Sequence, residues 1–261
     1  MTIAGGLRSW LSARHSLRGE ASAVLVLYGM YEVARALVVG NAAEADRHAH
    51  RLVSIEQSLH VFIEANVQRA AQPIPDLTGL LGVSYLTLHL GVTAVVLLWL
   101  HQRHRAAYPF VRTTLMLASG LALIGFLVYP TAPPRLAGIG IADTVSNGHV
   151  DLNHGLVSSL YNPYAAVPSM HIGYALIVAA SVLRVGRGRL VRALATVYPP
   201  FVLLVIVATG NHFLFDAAAG ALVAGLAAAL ATILMRRAAP ARLSSLRPQR
   251  EPVPSFEELA A

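Results

Sequence analysis

Long apolar runs constrain this chain more than any other feature. They fall at roughly 21–40, 78–100, 110–129, 168–184, 193–209 and 213–235. A helix needs about 20 such residues to cross the hydrocarbon core of a bilayer. Five of the runs meet or approach that length, and a sixth crossing follows from topology. The fourth and fifth are short and are interrupted by polar or proline residues. A spanning backbone must satisfy its own hydrogen bonds, and uniformly apolar runs of this length do so as helices. The expectation is an all-α integral membrane protein, a six-transmembrane-helix bundle. Composition agrees: 13% of residues are charged, against about 25% in an ordinary soluble domain.

The arginines set the orientation. All 20 basic residues are arginine, and the formal charge is +7. Arg8, Arg14 and Arg18 precede the first run. Arg103, Arg105 and Arg112 follow the second, and Arg184, Arg187, Arg189 and Arg192 follow the fourth. Arg236, Arg237, Arg242, Arg247 and Arg250 follow the sixth. The opposite side holds only Arg47, Arg51, Arg69 and Arg135, with Arg35 inside the first run. By the positive-inside rule both termini are cytoplasmic in a multi-pass protein, with the plasma membrane as the expected location. The basic charge is therefore a topology signal and not a nucleic-acid footprint. With no cysteine, disulfide and thiolate chemistry are excluded. Residues 1–42 also have some features of a cleaved leader, including Gly40-Asn41-Ala42. The run there is long and carries Glu32 and Arg35, which favours a retained span.

This reading divides the chain into a cytoplasmic tail (1–20), a membrane catalytic domain (21–236) and a disordered cytoplasmic tail (237–261). The last is Pro-, Arg- and Ser-rich before it turns acidic. Two outward segments are long. In 41–77, Ala45, Ala49, Leu52, Ile55, Leu59, Phe62 or Ile63, Val67 and Ala70 form one helical stripe. Asp46, Arg47, Arg51, Gln57 and Gln68 lie off it. The pattern predicts an outer amphipathic helix, either across the bundle mouth or as a plain connector. The segment 130–167 is rich in Pro, Gly, Asn and Asp, and reads as an ordered outer loop that builds a site. No internal repeat is visible.

Chemistry concentrates at the outer mouth. His212 and Asp216 stand four apart, which on a helix puts them on one face. The carboxylate can hold one ring nitrogen and leave the other free to act. His171 starts the fourth run, and Arg135 lies on the loop after the third. The N-termini of two helices there present backbone N–H groups and partial positive charge, which suit an anion such as phosphate. Two histidines, a carboxylate and an arginine around one anion fit phosphoryl transfer. One histidine attacks phosphorus and the other protonates the leaving oxygen.

The segments Pro168-Ser169-Met170-His171 and His212-x-x-x-Asp216 resemble the second and third motifs of the type-2 phosphatidic acid phosphatase superfamily. Tyr129-Pro130-Thr131-Ala132-Pro133-Pro134-Arg135 resembles the first motif of its inositol phosphorylceramide synthase (inositolphosphotransferase) branch. The resemblance covers about 110–235. It implies His212 as nucleophile, Asp216 as its orienting partner and His171 as general acid, then base. Ser169 would bind phosphate oxygens. Arg135 is the nearest cation, and Asn211 and Arg35 are further candidates for the phosphate. The resemblance implies no metal and no other cofactor. The chain departs from the phosphatase pattern in lacking the lysine-containing first motif and the Ser-Arg pair of the third. Met170 replaces a glycine. Fewer cations facing phosphate suit a diester better than a monoester dianion.

The leading expectation is thus a lipid phosphotransferase facing outside. It would act on a membrane phospholipid or polyprenyl phosphate, with a polyol such as inositol as acceptor. The alternative within the same site is hydrolysis of a polyprenyl or phosphatidyl phosphate. A different class, a non-catalytic transporter, would draw on the intramembrane Glu32, Arg35 and His89, but lacks an inverted repeat. Glu32 and Arg35 also read as a structural pair, and His89 and Tyr85 as interhelical hydrogen-bond partners. The spacing of His48, His50, His60, His149 and His154 makes no zinc pattern. Tyr129, Tyr161 and Tyr164 read as interface aromatics. Oligomeric state has no signature in the sequence.

Overall fold

The computed structural model describes residues 41–145 and 162–238, together with Gly19, Glu20, Ser22, Leu25, Tyr28, Gly29, Tyr31 and Val33. Most of the expected first crossing lies outside the described residues. So do Glu32, Arg35, His149, His154, Tyr161 and nearly all of the C-terminal tail.

Seven α-helices and one short 3₁₀ turn are described, in the order α1 (Ala42–Ser58), α2 (Glu64–Ala71), α3 (Leu77–Arg103), α4 (Tyr108–Val128), the 3₁₀ turn Pro134–Leu136, α5 (Met170–Val185), α6 (Arg189–Ala208) and α7 (Leu214–Ala238). Helices α3, α4 and α6, and α7 over Leu214–Arg236, are long and apolar enough to cross a membrane; Met170–Val185 is apolar but shorter. Four such spans make this an integral membrane protein. Each helix falls within a few residues of its apolar run, because hydrocarbon thickness and side-chain polarity set both. Helix α6 runs through Pro199 and Pro200 without ending.

Helix α7 is central to the packing. Ala217, Ala224, Ala227 and Ala231 are buried along it, and it lies against α4 and α5. Small side chains let helix backbones approach where lipid offers no hydrophobic drive to associate. The closest approach is at Gly220. A Cβ there would come 2.1 Å from the carbonyl oxygen of Ser169. One apolar cluster joins Tyr85, Ile172, Ile206 and Ala217, and another joins Leu115, Phe126, Met170 and Ala224.

The segment expected as one amphipathic helix is two. The chain breaks between α1 and α2, where His60 takes a left-handed conformation at φ 58°. The buried face also differs from the predicted stripe. Ala45, Ala49 and Leu52 are buried as expected, but the stripe continues through Glu56, not Ile55, and Leu59 is exposed. Glu64 and Gln68, both polar, are buried on α2.

These buried polar groups have partners. Gln68 donates to the carbonyls of Ala142 (2.9 Å) and Ala208 (3.3 Å) and accepts from Ala142 N–H (2.7 Å), joining α2 to the loop and to the end of α6. Helix α1 is tied to the start of the loop. His48 bonds the Pro130 carbonyl at 2.7 Å and stacks on Tyr129, while Ala132 N–H donates to Ala45 at 3.1 Å. A third apolar cluster, with Ala45, Leu52, Ala132 and Phe213, fills the space between. At the opposite end of the bundle Arg112, counted among the topology charges, is buried and paired with Glu20 at 2.6 Å.

Candidate active site

The turn from α6 into α7 delivers the first catalytic candidate. Thr209 caps α6 and Gly210 follows at φ 67°. Gly210 N–H bonds Val207 O at 3.0 Å and Asn211 N–H bonds Ile206 O at 3.1 Å. These two bonds define a Schellman motif, which needs a left-handed residue at the position Gly210 fills. The motif reverses the chain within three residues and leaves His212 just ahead of α7.

His212 and Asp216 therefore do not share a helix face, as the spacing predicted. His212 precedes the helix, and Asp216 reaches back around its N-terminus. The Oδ2 atom of Asp216 accepts from Phe213 N–H at 2.9 Å, the N3-to-N-cap half of a capping box. The same oxygen lies 3.2 Å from His212 Nδ1, which is also 3.1 Å from the carbonyl of Ala166. A carbonyl only accepts, so Nδ1 carries the hydrogen and Nε2 keeps its lone pair. Both side chains are buried.

His171 enters from the first turn of α5. Its ring centroid stands 5.4 Å from that of His212. Its Nε2 lies 3.2 Å from the carbonyl of Tyr85, and its ring stacks on that tyrosine at 4.3 Å. The same argument places the hydrogen on Nε2, so Nδ1 is the atom open to proton exchange. His89, one turn beyond Tyr85 on α3, brings a third imidazole to 4.0 Å from His171. A cavity of about 170 Å³ opens over these groups, lined by His212, His171, His89, Tyr85, Asn211 and Tyr174 among others.

The remaining candidates take separate places. Asn211 lines the cavity and accepts from Arg135 Nε at 3.0 Å. Arg135 is buried behind it, with its NH1 on Asp143 at 2.5 Å and its backbone N–H on Gly210 at 2.9 Å. It thus braces the turn that carries Asn211 and His212. Ser169, the N-cap residue of α5, makes no side-chain cap bond, and its hydroxyl is buried with no hydrogen-bond partner. Its backbone N–H donates to the Asp216 carbonyl at 2.9 Å.

The N-terminus of α7 is not the open anion site the sequence suggested. Leu214 N–H donates to Glu64 at 2.9 Å and Phe215 N–H to Glu56 at 2.7 Å, while Phe213 N–H is held by Asp216. Sequence reasoning passed over both glutamates and Asp143. Glu56 had a visible signal: it continues the Ala45, Ala49, Leu52 face at helical spacing, where a charge is out of place.

A family model described as PAP2 superfamily matches residues 50–230, which is most of the chain. The match includes Arg135, Ser169, His171, Asn211, His212 and Asp216 but not Arg35. No curated protein and no solved structure matches the chain.

Proposed function

We propose, from the premise that this chain belongs to the PAP2 superfamily, that it is a membrane lipid phosphotransferase working through a histidine nucleophile. The observation that carries this reading is the clamp on His212. Its Nδ1–H is held between Asp216 and Ala166, and its other nitrogen is left basic at a cavity wall beside a second histidine. His212 Nε2 attacks phosphorus, and the bond to the leaving oxygen breaks. His171, entering protonated, gives that oxygen its proton from Nδ1. Asp216 stabilises the charge that His212 acquires. In the second half His171 takes a proton from an incoming hydroxyl, whose oxygen displaces His212 from phosphorus.

The charge around the cavity favours a phosphodiester substrate over a monoester dianion. No lysine or arginine is among the cavity-lining residues described, and the guanidinium of Arg135 is balanced by Asp143. On this reading a phosphorylated headgroup passes to or from an alcohol, with a polyol such as inositol as acceptor. The site faces the outer side of the plasma membrane, and both termini are cytoplasmic.

The test is turnover of labelled phospholipid by purified protein, with and without a polyol. Transfer predicts a new labelled lipid that depends on the polyol. Release of a water-soluble phosphate product regardless of polyol would establish hydrolysis instead. A His212→Ala protein that keeps full turnover would sink the mechanism.

A further inference from the structure

Glu56 and Glu64 come from different helices and converge on consecutive amides of α7. Glu64 Oε1 takes Leu214 N–H and Glu56 Oε1 takes Phe215 N–H. Carboxylates held on neighbouring amides are themselves neighbours. Both side chains are buried, at 1% and 0% exposure, and each second oxygen is buried without a hydrogen-bond partner. Two full negative charges so placed, with Asp216 on the same helix turn, would be strongly unfavourable in a dry site. One proton between the two carboxyl groups removes one charge and gives both orphaned oxygens a partner.

We propose that Glu56 and Glu64 form a proton-sharing pair that positions His212 and Asp216, by fixing the first turn of α7 against α1 and α2. This inference rests on the assignment of His212 as nucleophile. Neither glutamate lines the cavity, so both act through the helix and not on substrate. Asp216 orients His212 only while the first turn of α7 holds its place. The groups facing Glu56 are Glu64 from α2, and Asp216 and the Phe215 amide from α7. Burial first, then these neighbouring carboxylates, push Glu56 up to about 8 against the lowering pull of the amide.

The full-length protein in lipid nanodiscs gives two independent readouts. In the first, infrared spectra near neutral pH show the carbonyl stretch of a protonated buried carboxyl. That band disappears in Glu56→Gln and also in Glu64→Gln, since either change removes the need for the proton. A band untouched by both substitutions overturns the shared proton. In the second, Glu56→Ala lowers kcat on the order of 10- to 100-fold with KM unchanged, the scale of a small misplacement away from the chemistry. Glu56→Gln restores most of that loss, because its carbonyl still accepts from Phe215 and its amide donates to Glu64. It also moves the alkaline limb of the kcat profile upward. Wild-type kcat in Glu56→Ala, or a Gln variant as slow as the Ala variant, overturns the positioning role. Where Glu56→Ala does not fold, the two Gln variants and their pH profiles decide it. Turnover surviving in His212→Ala would remove the positioning role along with the nucleophile, while the infrared readout would still decide the shared proton.

Discussion

Two helices begin side by side at one end of this bundle, and their N-termini are built in opposite ways. The start of α7 is closed. Three carboxylates, from Asp216, Glu64 and Glu56, hold the amide of Phe213 just ahead of it and its first two amides. The start of α5 carries no side-chain cap, and Ser169 leaves a buried hydroxyl without a partner. A helix N-terminus attracts anions through its free amides and dipole. At α7 the protein's own carboxylates satisfy that attraction, which fixes the helix. At α5 no side chain of the protein meets that attraction. The difference teaches which helix start the fold itself closes and which it leaves uncapped. In the proposed reaction the closed start steadies His212, and the uncapped start, with His171 beside it, is the place left for an anion.

The sharpest way to break this comparison is at the closed end. Asp216→Asn keeps the shape, but its amide nitrogen can displace the His212 tautomer. A fall in kcat on the order of 10³- to 10⁴-fold is expected, as when an orienting carboxylate is lost from a triad. Steady-state turnover checks it, and a loss under tenfold would mean that Ala166 alone suffices.

Next is the joint between the two ends. Gly220→Ala would put a Cβ 2.1 Å from the Ser169 carbonyl, which is backbone and cannot swing aside. Forced separation of α5 from α7 is expected to cost about 1–3 kcal/mol of stability and to lower turnover as well. A wild-type melting temperature would show that the helices have slack there.

At the open end, Ser169→Ala removes a hydroxyl that bonds to nothing in the fold. Turnover is expected to fall about tenfold, the scale of one ordinary hydrogen bond, with no loss of melting temperature. A stability loss with unchanged kinetics would make the hydroxyl structural.

A pH dependence of stability completes the comparison. Glu56 holds its proton to about 8 in the fold, against an ordinary value of 4.5. The folded protein therefore binds more protons than the unfolded chain between those values. The stability this group contributes is complete below the lower value and is lost as pH rises through 8. Melting temperature should decline from mildly acid to alkaline pH, and Glu56→Gln should flatten the decline.

Much of this was legible in the sequence. The four long apolar helices were readable because bilayer thickness and polarity dictate length and composition together. His171, His212 and Asp216 were readable because ionisable residues at the mouth of an apolar run are costly enough to need a reason. The cap was harder to read. The stripe in 41–77 has helical period through the break at His60, and periodicity alone cannot register a change of direction. Glu56 and Glu64 were hidden because a surface carboxylate and one buried on another helix's amides look alike until the partner is known. Arg135 was seen as a phosphate ligand, since a sequence does not show that Asp143 and Asn211 lie close enough to engage it.

Asp216 binds both halves of the site with different parts of itself. Its side chain holds His212, and its backbone carbonyl holds the amide of Ser169, two residues before His171. When the bundle flexes, a displacement of Asp216 therefore carries His212 and His171 in the same direction. Errors in their two positions are correlated and largely cancel in the distance between them. A bilayer's thickness and lateral pressure fluctuate, and routing both contacts through one residue shields the spacing of the two imidazoles from that noise.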